Sequence, residues 1–262
     1  MFVSGKGGVG KSMCSTNIAT ALALGGSRVL LLDADFGLAN ANIMLGVKSE
    51  YSLADVLNEK ITIEQAVSVT DEGLKVLSGG SGLPTLIGID QEKRLRIVRL
   101  IEPLESQLDY LIIDAPAGIE ENALCFAGAS DEICLVLTGD PTSFMDAYAT
   151  VKVLSLEKNI ERIKVVVNMV ENTQSGHSVF KRFEQIVCKF LPVTLTLMGI
   201  LPNSQKIRHS VQNRQPIMRS SSLDEETKVI LDICDSIVSN VRSRNQGEFS
   251  FFQGLLAGTA TG

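Results

Sequence analysis

The sequence lacks several features that would each announce a class of protein. Its 262 residues contain no C-x-x-C pair, and the five cysteines (Cys14, Cys125, Cys134, Cys188 and Cys234) stand far apart in apolar surroundings. That scatter excludes a disulfide framework and argues against a cluster of thiolate ligands; it reads as reduced thiols packed as small apolar groups. No apolar run reaches the roughly 18 residues of a membrane-spanning helix, and no signal peptide is visible. The expectation is a cytoplasmic protein with at most a peripheral contact to the inner face of the cell membrane. Positive charge is also in deficit. Lys and Arg number 24 against 30 Asp and Glu, a net charge of −6. A surface built mainly to neutralise nucleic-acid phosphates is therefore not expected, nor is direct DNA binding. There is no internal repeat and no long low-complexity linker. Only residues 245–262 change character, becoming rich in Gly, Phe and Ser. The chain divides into one large domain over 1–244 and a tail over 245–262.

What is present begins at the fourth residue. Ser4-Gly5-Lys6-Gly7-Gly8-Val9-Gly10-Lys11-Ser12 fits G-x-x-x-x-G-K-[ST]. Glycines at these positions let successive backbone N–H groups turn inward around a phosphate chain. Gly5, Gly7, Gly8, Val9, Gly10, Lys11, Ser12 and the following Met13 are the expected phosphate-binding residues. Lys11 reaches β- and γ-phosphate oxygens, and the Ser12 hydroxyl suits Mg²⁺. A helix starting here aims its positive end at the same anion.

Hydrophobic patterning sets the fold class. Short apolar runs at 28–33, 74–77, 110–114, 132–137, 163–167 and 195–201 read as buried strands, with a clipped first strand at 1–4. Helices are expected at 12–24, 52–58, 62–69, 90–104, 143–156 and 179–190. Leu223, Ile230, Ile233, Ile237 and Val241 form a stripe at helical spacing. The alternation predicts an α/β fold: a doubly wound, mostly parallel sheet with helices on both faces, as in P-loop NTPases.

Three acids follow the apolar runs. Asp33 and Asp114 end strands, where a P-loop site places a carboxylate near Mg²⁺, often through water. Asp114 fits that role best; Asp33 fits it or caps a helix. Asp35 is the candidate to orient or deprotonate the attacking water, or else a turn aspartate. Gly118, after Pro116, lets the backbone approach the γ-phosphate. Lys6 is one lysine more than an ordinary P-loop requires. It is either a solvated surface lysine or a charge that reaches across a dimer interface, as an arginine finger does.

Lys6-Gly7-Gly8-Val9-Gly10-Lys11-Ser12 resembles the deviant Walker A motif of the MinD/ParA ATPases. The resemblance extends through Asp33-Ala34-Asp35-Phe36-Gly37-Leu38-Ala39-Asn40 and Asp114-Ala115-Pro116-Ala117-Gly118. The segment from Asp140 to Ala149, Asp-Pro-Thr-Ser-Phe-Met-Asp-Ala-Tyr-Ala, resembles the FlhG (FleN) branch, the regulators of flagellar number and placement. The resemblance implies ATP/ADP and Mg²⁺ as cofactors and a homodimer when ATP is bound. It makes Lys6 the signature lysine and brings adenine contacts from Asn168 and from backbone near Pro202; Asn168 otherwise caps a strand end. Asn17 and Asn40 match switch-ordering positions. Implied partners are flagellar switch-ring components, the GTPase FlhF and a flagellar transcription activator. Many members stimulate FlhF through an N-terminal extension, whereas the loop here begins at residue 4; such stimulation is not expected. The family often has a second hydroxyl after the Ser/Thr, where this chain has Met13. In the tail, Phe249, Phe251, Phe252, Leu255 and Leu256 fall within about 160° on a helical wheel, which is similar to the family's membrane-targeting helix. That segment binds lipid or folds back on the protein. The alternatives within the same fold are a division-site MinD, a DNA-partition ATPase of the ParA type, and an iron–sulfur branch that needs thiolates this chain does not cluster.

Overall fold

Along each central strand, the side chains alternate between two sealed cores. In β2 (Val29–Asp33), Leu30 and Leu32 face one core, and Val29 and Leu31 face the other. In β5 (Tyr110–Asp114), Ile113 and Ile112 divide in the same way. A strand covered on both faces must be apolar throughout, which is why these runs were legible as buried strands. The computed structural model describes residues 1–35, 40–80, 96–97, 99–118, 120–220 and 222–244.

The remaining strands are β1 (Phe2–Val3), β3 (Val67–Val69), β4 (Lys75–Ser78), β6 (Cys134–Thr138), β7 (Arg162–Val170) and β8 (Thr194–Pro202). They form one eight-stranded sheet in the order β3-β4-β2-β5-β1-β6-β7-β8. β3 runs antiparallel to β4, and the other pairings are parallel. The doubly wound sheet is as expected. β1 is only two residues long, yet Phe2 is registered against both Asp114 and Cys134. The loop after β1 therefore opens at the carboxyl edge in the middle of the sheet, where open α/β sheets bind ligands.

Helices cover both faces. α1 (Lys11–Leu24), α2 (Ala41–Leu45), α8 (Gln205–Gln212) and α9 (Glu225–Arg244) close one core through residues such as Ile18, Leu45, Ile207 and Ile233. The other is closed by α3 (Leu53–Leu57), α4 (Ile63–Ala66), α5 (Glu121–Ala129), α6 (Pro141–Lys158) and α7 (Thr173–Phe190), with Phe126, Val151 and Phe183 at its centre. No helix of the described residues is long and apolar enough to cross a membrane.

Several boundaries differ from the sequence reading. The helix expected over 62–69 is helical only to Ala66. Val67 turns extended, and Val67-Ser68-Val69 becomes the edge strand β3. Two β-branched residues alternating with a serine suit that half-buried edge better than a helix. Of the helix expected over 90–104, residues 90–95 and 98 lie outside the described residues, and the described part tightens at its end into a 3₁₀ turn at Glu102–Gln107, which contains Pro103. α6 starts two residues early because Asp140 caps it and Pro141 occupies its first position. α7 starts six residues early. The Asn172 side chain accepts the Ser175 N–H at 2.9 Å, and the Ser175 hydroxyl accepts the Asn172 N–H at 3.1 Å. Leu223, assigned to the apolar stripe, precedes α9 and is exposed, whereas Ile230 and Ile233 are buried. The tail lies outside the described residues.

Gly5 ties the loop after β1 to α6. A Cβ there would lie 2.2 Å from the backbone carbon of Asp146, whereas one at Gly7 would meet nothing within 4 Å. Gly5→Ala should cost about 1–3 kcal/mol and lower the melting temperature by about 2–4 °C for each kcal/mol. Gly7→Ala should stay within about 0.5 kcal/mol of the parent. Thermal unfolding of both variants without nucleotide checks the contrast.

Candidate functional site

The Gly-rich loop is held from three sides. The Ser4 hydroxyl donates to the Lys6 carbonyl at 3.1 Å, and the Gly118 N–H donates to the Ser4 carbonyl at 2.8 Å. The amide of Gly118, the glycine expected to bring backbone close to the γ-phosphate, here fixes the entrance of the loop. At the exit, Gly10 has φ +91°, a left-handed conformation that glycine adopts freely, and it precedes α1 without a side-chain cap. The first amides of α1 are left for an anion. Asn168, at the carboxyl end of β7, donates its side-chain N–H to the Val9 carbonyl at 2.8 Å. A Cβ on Gly10 would lie 2.1 Å from that same Asn168 nitrogen. Asn168 thus lies against the loop and braces it. Pro202, on the adjacent strand, is registered with Val170 at the same sheet edge. The Met13 side chain is buried in the core beneath α1.

Below the loop, Lys11 and Asp114 form a buried ion pair, Nζ to Oδ1 at 2.6 Å, with side chains 8% and 1% exposed. The Ser12 hydroxyl is 3.5 Å from the same Nζ. The second Asp114 oxygen, Oδ2, is buried without a hydrogen-bond partner among the described residues. An orphaned carboxylate oxygen, on an acid whose lysine partner also meets the Ser12 hydroxyl, suits a hard, oxygen-seeking cation such as Mg²⁺, which needs only one or two protein ligands. Asp33 is registered directly beside Asp114. Its environment differs: Oδ1 accepts the Asp35 N–H at 3.1 Å, and Oδ2 accepts the N–H groups of Asn40 and Ala41 at 2.8 and 2.9 Å. Burial, and then the Asp114 charge, push its carboxyl up to about 7, against the pull of those amides and of Lys11. Asp35 stands at the start of a segment whose residues 36–39 lie outside the described residues.

Lys6 faces away from this pair. Its ammonium bonds the Asp140 carboxylate and donates to the Thr142 hydroxyl at 2.6 Å; that hydroxyl in turn donates to Asp140 at 2.7 Å. Asp140 and Thr142 stood out in the sequence only as part of a family signature. The local signal for their role was the helix start, an N-cap Asp followed by Pro. Between Lys6, Thr138, Asp140, Met169 and Val179 lies a cleft of about 520 Å³. Met169, at its rim, is in the left-handed region at φ 58°. Asn17 is buried and structural: its side chain donates to the Met13 carbonyl at 2.9 Å and accepts the Met218 N–H at 3.4 Å. Asn40 contributes its backbone N–H. Among the described residues, no three His, Cys, Asp or Glu side chains converge as a metal site. Burial pushes the thiols of Cys14 and Cys134 well above the usual range.

Removing Lys11 strands a buried carboxylate. Lys11→Met should destabilise the nucleotide-free protein by about 3 kcal/mol, and adding Asp114→Asn should recover much of that loss. Denaturant titration of the single and double variants measures it. For Asp140, the Lys6 bond and then Thr142 hold the carboxyl down at about 2, below its ordinary 3.8. The folded value is depressed, so the contact is intact above pH 4 and is lost as pH falls through about 2. A carboxyl-carbon NMR titration should show that midpoint, and Lys6→Ala should return it toward 3.8.

Comparison with known proteins agrees with this geometry. A family model described as "ParA: NUBPL iron-transfer P-loop NTPase" matches residues 1–238. The antiactivator FleN of Pseudomonas aeruginosa is 32% identical, over 98% of this chain and 93% of FleN. The flagellum site-determining protein YlxH of Helicobacter pylori is also 32% identical, over 97% of this chain and 87% of YlxH. Among solved structures, a chain of the MinC:MinD cell division complex of Aquifex aeolicus superposes with a TM-score of 0.74 at 29% identity, covering 91% of this chain and 94% of that one. With a family model spanning most of its length and relatives that align nearly end to end, the chain belongs to the ParA/MinD family of P-loop NTPases.

Proposed function

We propose that this protein is an ATP-hydrolysing switch that dimerises with ATP and regulates the number or placement of flagella. The observation that carries the reading is the loop itself. Uncapped helix amides and Lys11 face a phosphate site, while a second lysine, Lys6, points outward from the same loop. The loop amides from Gly7 to Met13 would hold the phosphates, with Lys11 exchanging Asp114 for a β- or γ-phosphate oxygen. Ser12 and Asp114 are the residues that would hold Mg²⁺, which supplies charge neutralisation between those oxygens. Asp35 would orient the attacking water and accept its proton. Asn168 and the backbone near Pro202 would border the adenine. Lys6 would leave Asp140 and Thr142 for the phosphates of a second copy.

The flagellar output rests on the likeness to FleN and YlxH, both of which align along nearly the whole chain. On this reading the partners are flagellar switch-ring components, FlhF and a flagellar transcription activator. The segment 245–262 would act as a tail apart from the 1–244 domain, bringing the dimer to the inner membrane surface. A division-site role is the second reading, favoured by the superposition on the MinD complex.

Light scattering after size exclusion tests the switch. With ADP the mass should be near 28 kDa. With ATP–Mg²⁺ it should double, and Asp35→Ala should hold the doubled state without turnover. A mass that never changes would overturn the dimer switch. Deleting the gene in its host should alter flagellar number or position; normal flagella with misplaced septa would favour the division-site reading.

A further inference from the structure

We infer that Asp33 is a positioning residue, which staples together the two ends of the segment that carries Asp35, rather than a ligand of the metal. The inference rests on the reading of Asp35 given above and adds how that residue is held.

The carboxylate of Asp33 is fully buried, and both of its oxygens are engaged. Oδ1 holds the amide of Asp35, two residues on. Oδ2 holds the amides of Asn40 and Ala41, seven and eight residues on. The partners lie on either side of residues 36–39, so one side chain holds the described backbone that flanks them on both sides. The Asn40 side chain makes no cap bond to α2, although it occupies the capping position. Asp33 supplies the bond to the Asn40 and Ala41 amides instead. Next to it, the Ala34 N–H donates to the Asp114 carbonyl at 2.9 Å, which fixes the start of the segment to β5. The backbone at Asp35 is thereby held on one side by Asp33 and on the other by the strand that carries the Lys11–Asp114 pair.

A metal ligand must keep a lone pair directed at the cation. Among the described residues, Asp114 has one oxygen with no partner and Asp33 has none, so Asp114 is the acid with an oxygen wholly available to a cation. The two strand-end acids look equivalent in sequence and are registered side by side, yet they do different work. Asp114 faces the phosphate site. Asp33 faces back along its own chain and determines where Asp35 sits.

Asp33→Asn in the full chain separates the two roles. The new amide nitrogen cannot accept a hydrogen bond, so at least one amide loses its partner. In the nucleotide-free protein, hydrogen exchange at residues 35, 40 and 41 should quicken by about 10- to 100-fold, while Ile113 in β5 stays protected. Turnover should fall by about 10- to 100-fold, because the base is misplaced. The KM for ATP and the Mg²⁺ concentration for half-maximal activity should each stay within about threefold. The inference is overturned if exchange at the three amides is unchanged. It is equally overturned if turnover returns at high Mg²⁺ with half-activation shifted tenfold or more, the behaviour of a lost metal ligand. Should the variant fail to fold, wild-type exchange decides: slow exchange at all three amides supports the staple, and fast exchange in the folded protein sinks it. A wild-type chain with slow amides but no ATP turnover would remove the catalytic reading of Asp35 and leave the staple standing.

Discussion

The buried contact between Lys11 and Asp114 is the constraint around which the rest is arranged. Two opposite charges sit beneath a Gly-rich loop at the centre of the sheet, almost out of reach of water. Burying such a pair is expensive unless the geometry is good and the remaining polar atoms are satisfied. Here they are not all satisfied, because one Asp114 oxygen has no partner among the described residues. The arrangement suits charges that arrive from outside, and on the proposed reading these are phosphate oxygens for the lysine and a cation for the carboxylate. Placing β1 between β5 and β6 brings the loop directly over β5, the strand that supplies the acid.

Much of this was legible because the chemistry and the chain are local to each other. The nine residues from Ser4 to Ser12 carry their own geometry in their glycines. Tyr110 to Asp114 announces a strand sealed on both faces, and the structure gives that strand the expected bounds. What sequence could not supply were the partners. Lys6 meets an acid 134 residues away, and Asn168 reaches a carbonyl 159 residues away. No local pattern encodes either bond; both depend on which strands become neighbours. The helix starts were missed for a related reason. Asn172 and Ser175 cap each other through short polar side chains, so the first turns of α7 show little apolar periodicity for a sequence reading to follow.

Asp33 and Asp114 show the limit most clearly. Each closes an apolar run and each stands on a central strand. Their surroundings are set by what returns to them: for one, the start of α2; for the other, a lysine from the loop. A residue's type and position in a strand thus restrict its chemistry without selecting it. Asn168 makes the same point, since a side chain suited to recognising a base is also one that braces a backbone carbonyl.

The bond between Lys6 and the start of α6 also has a consequence in time. Both side chains reach solvent, which screens their attraction. Breaking it needs only a lysine rotamer change, which for an exposed side chain takes picoseconds to nanoseconds. The backbone need not move, because Gly5 seats the loop against α6 whichever way the lysine points. A rearrangement this quick would not set the pace of any slower event at the loop. Under the proposed switch, the slower steps would then be ones that exchange matter, such as the meeting and parting of molecules or the departure of product.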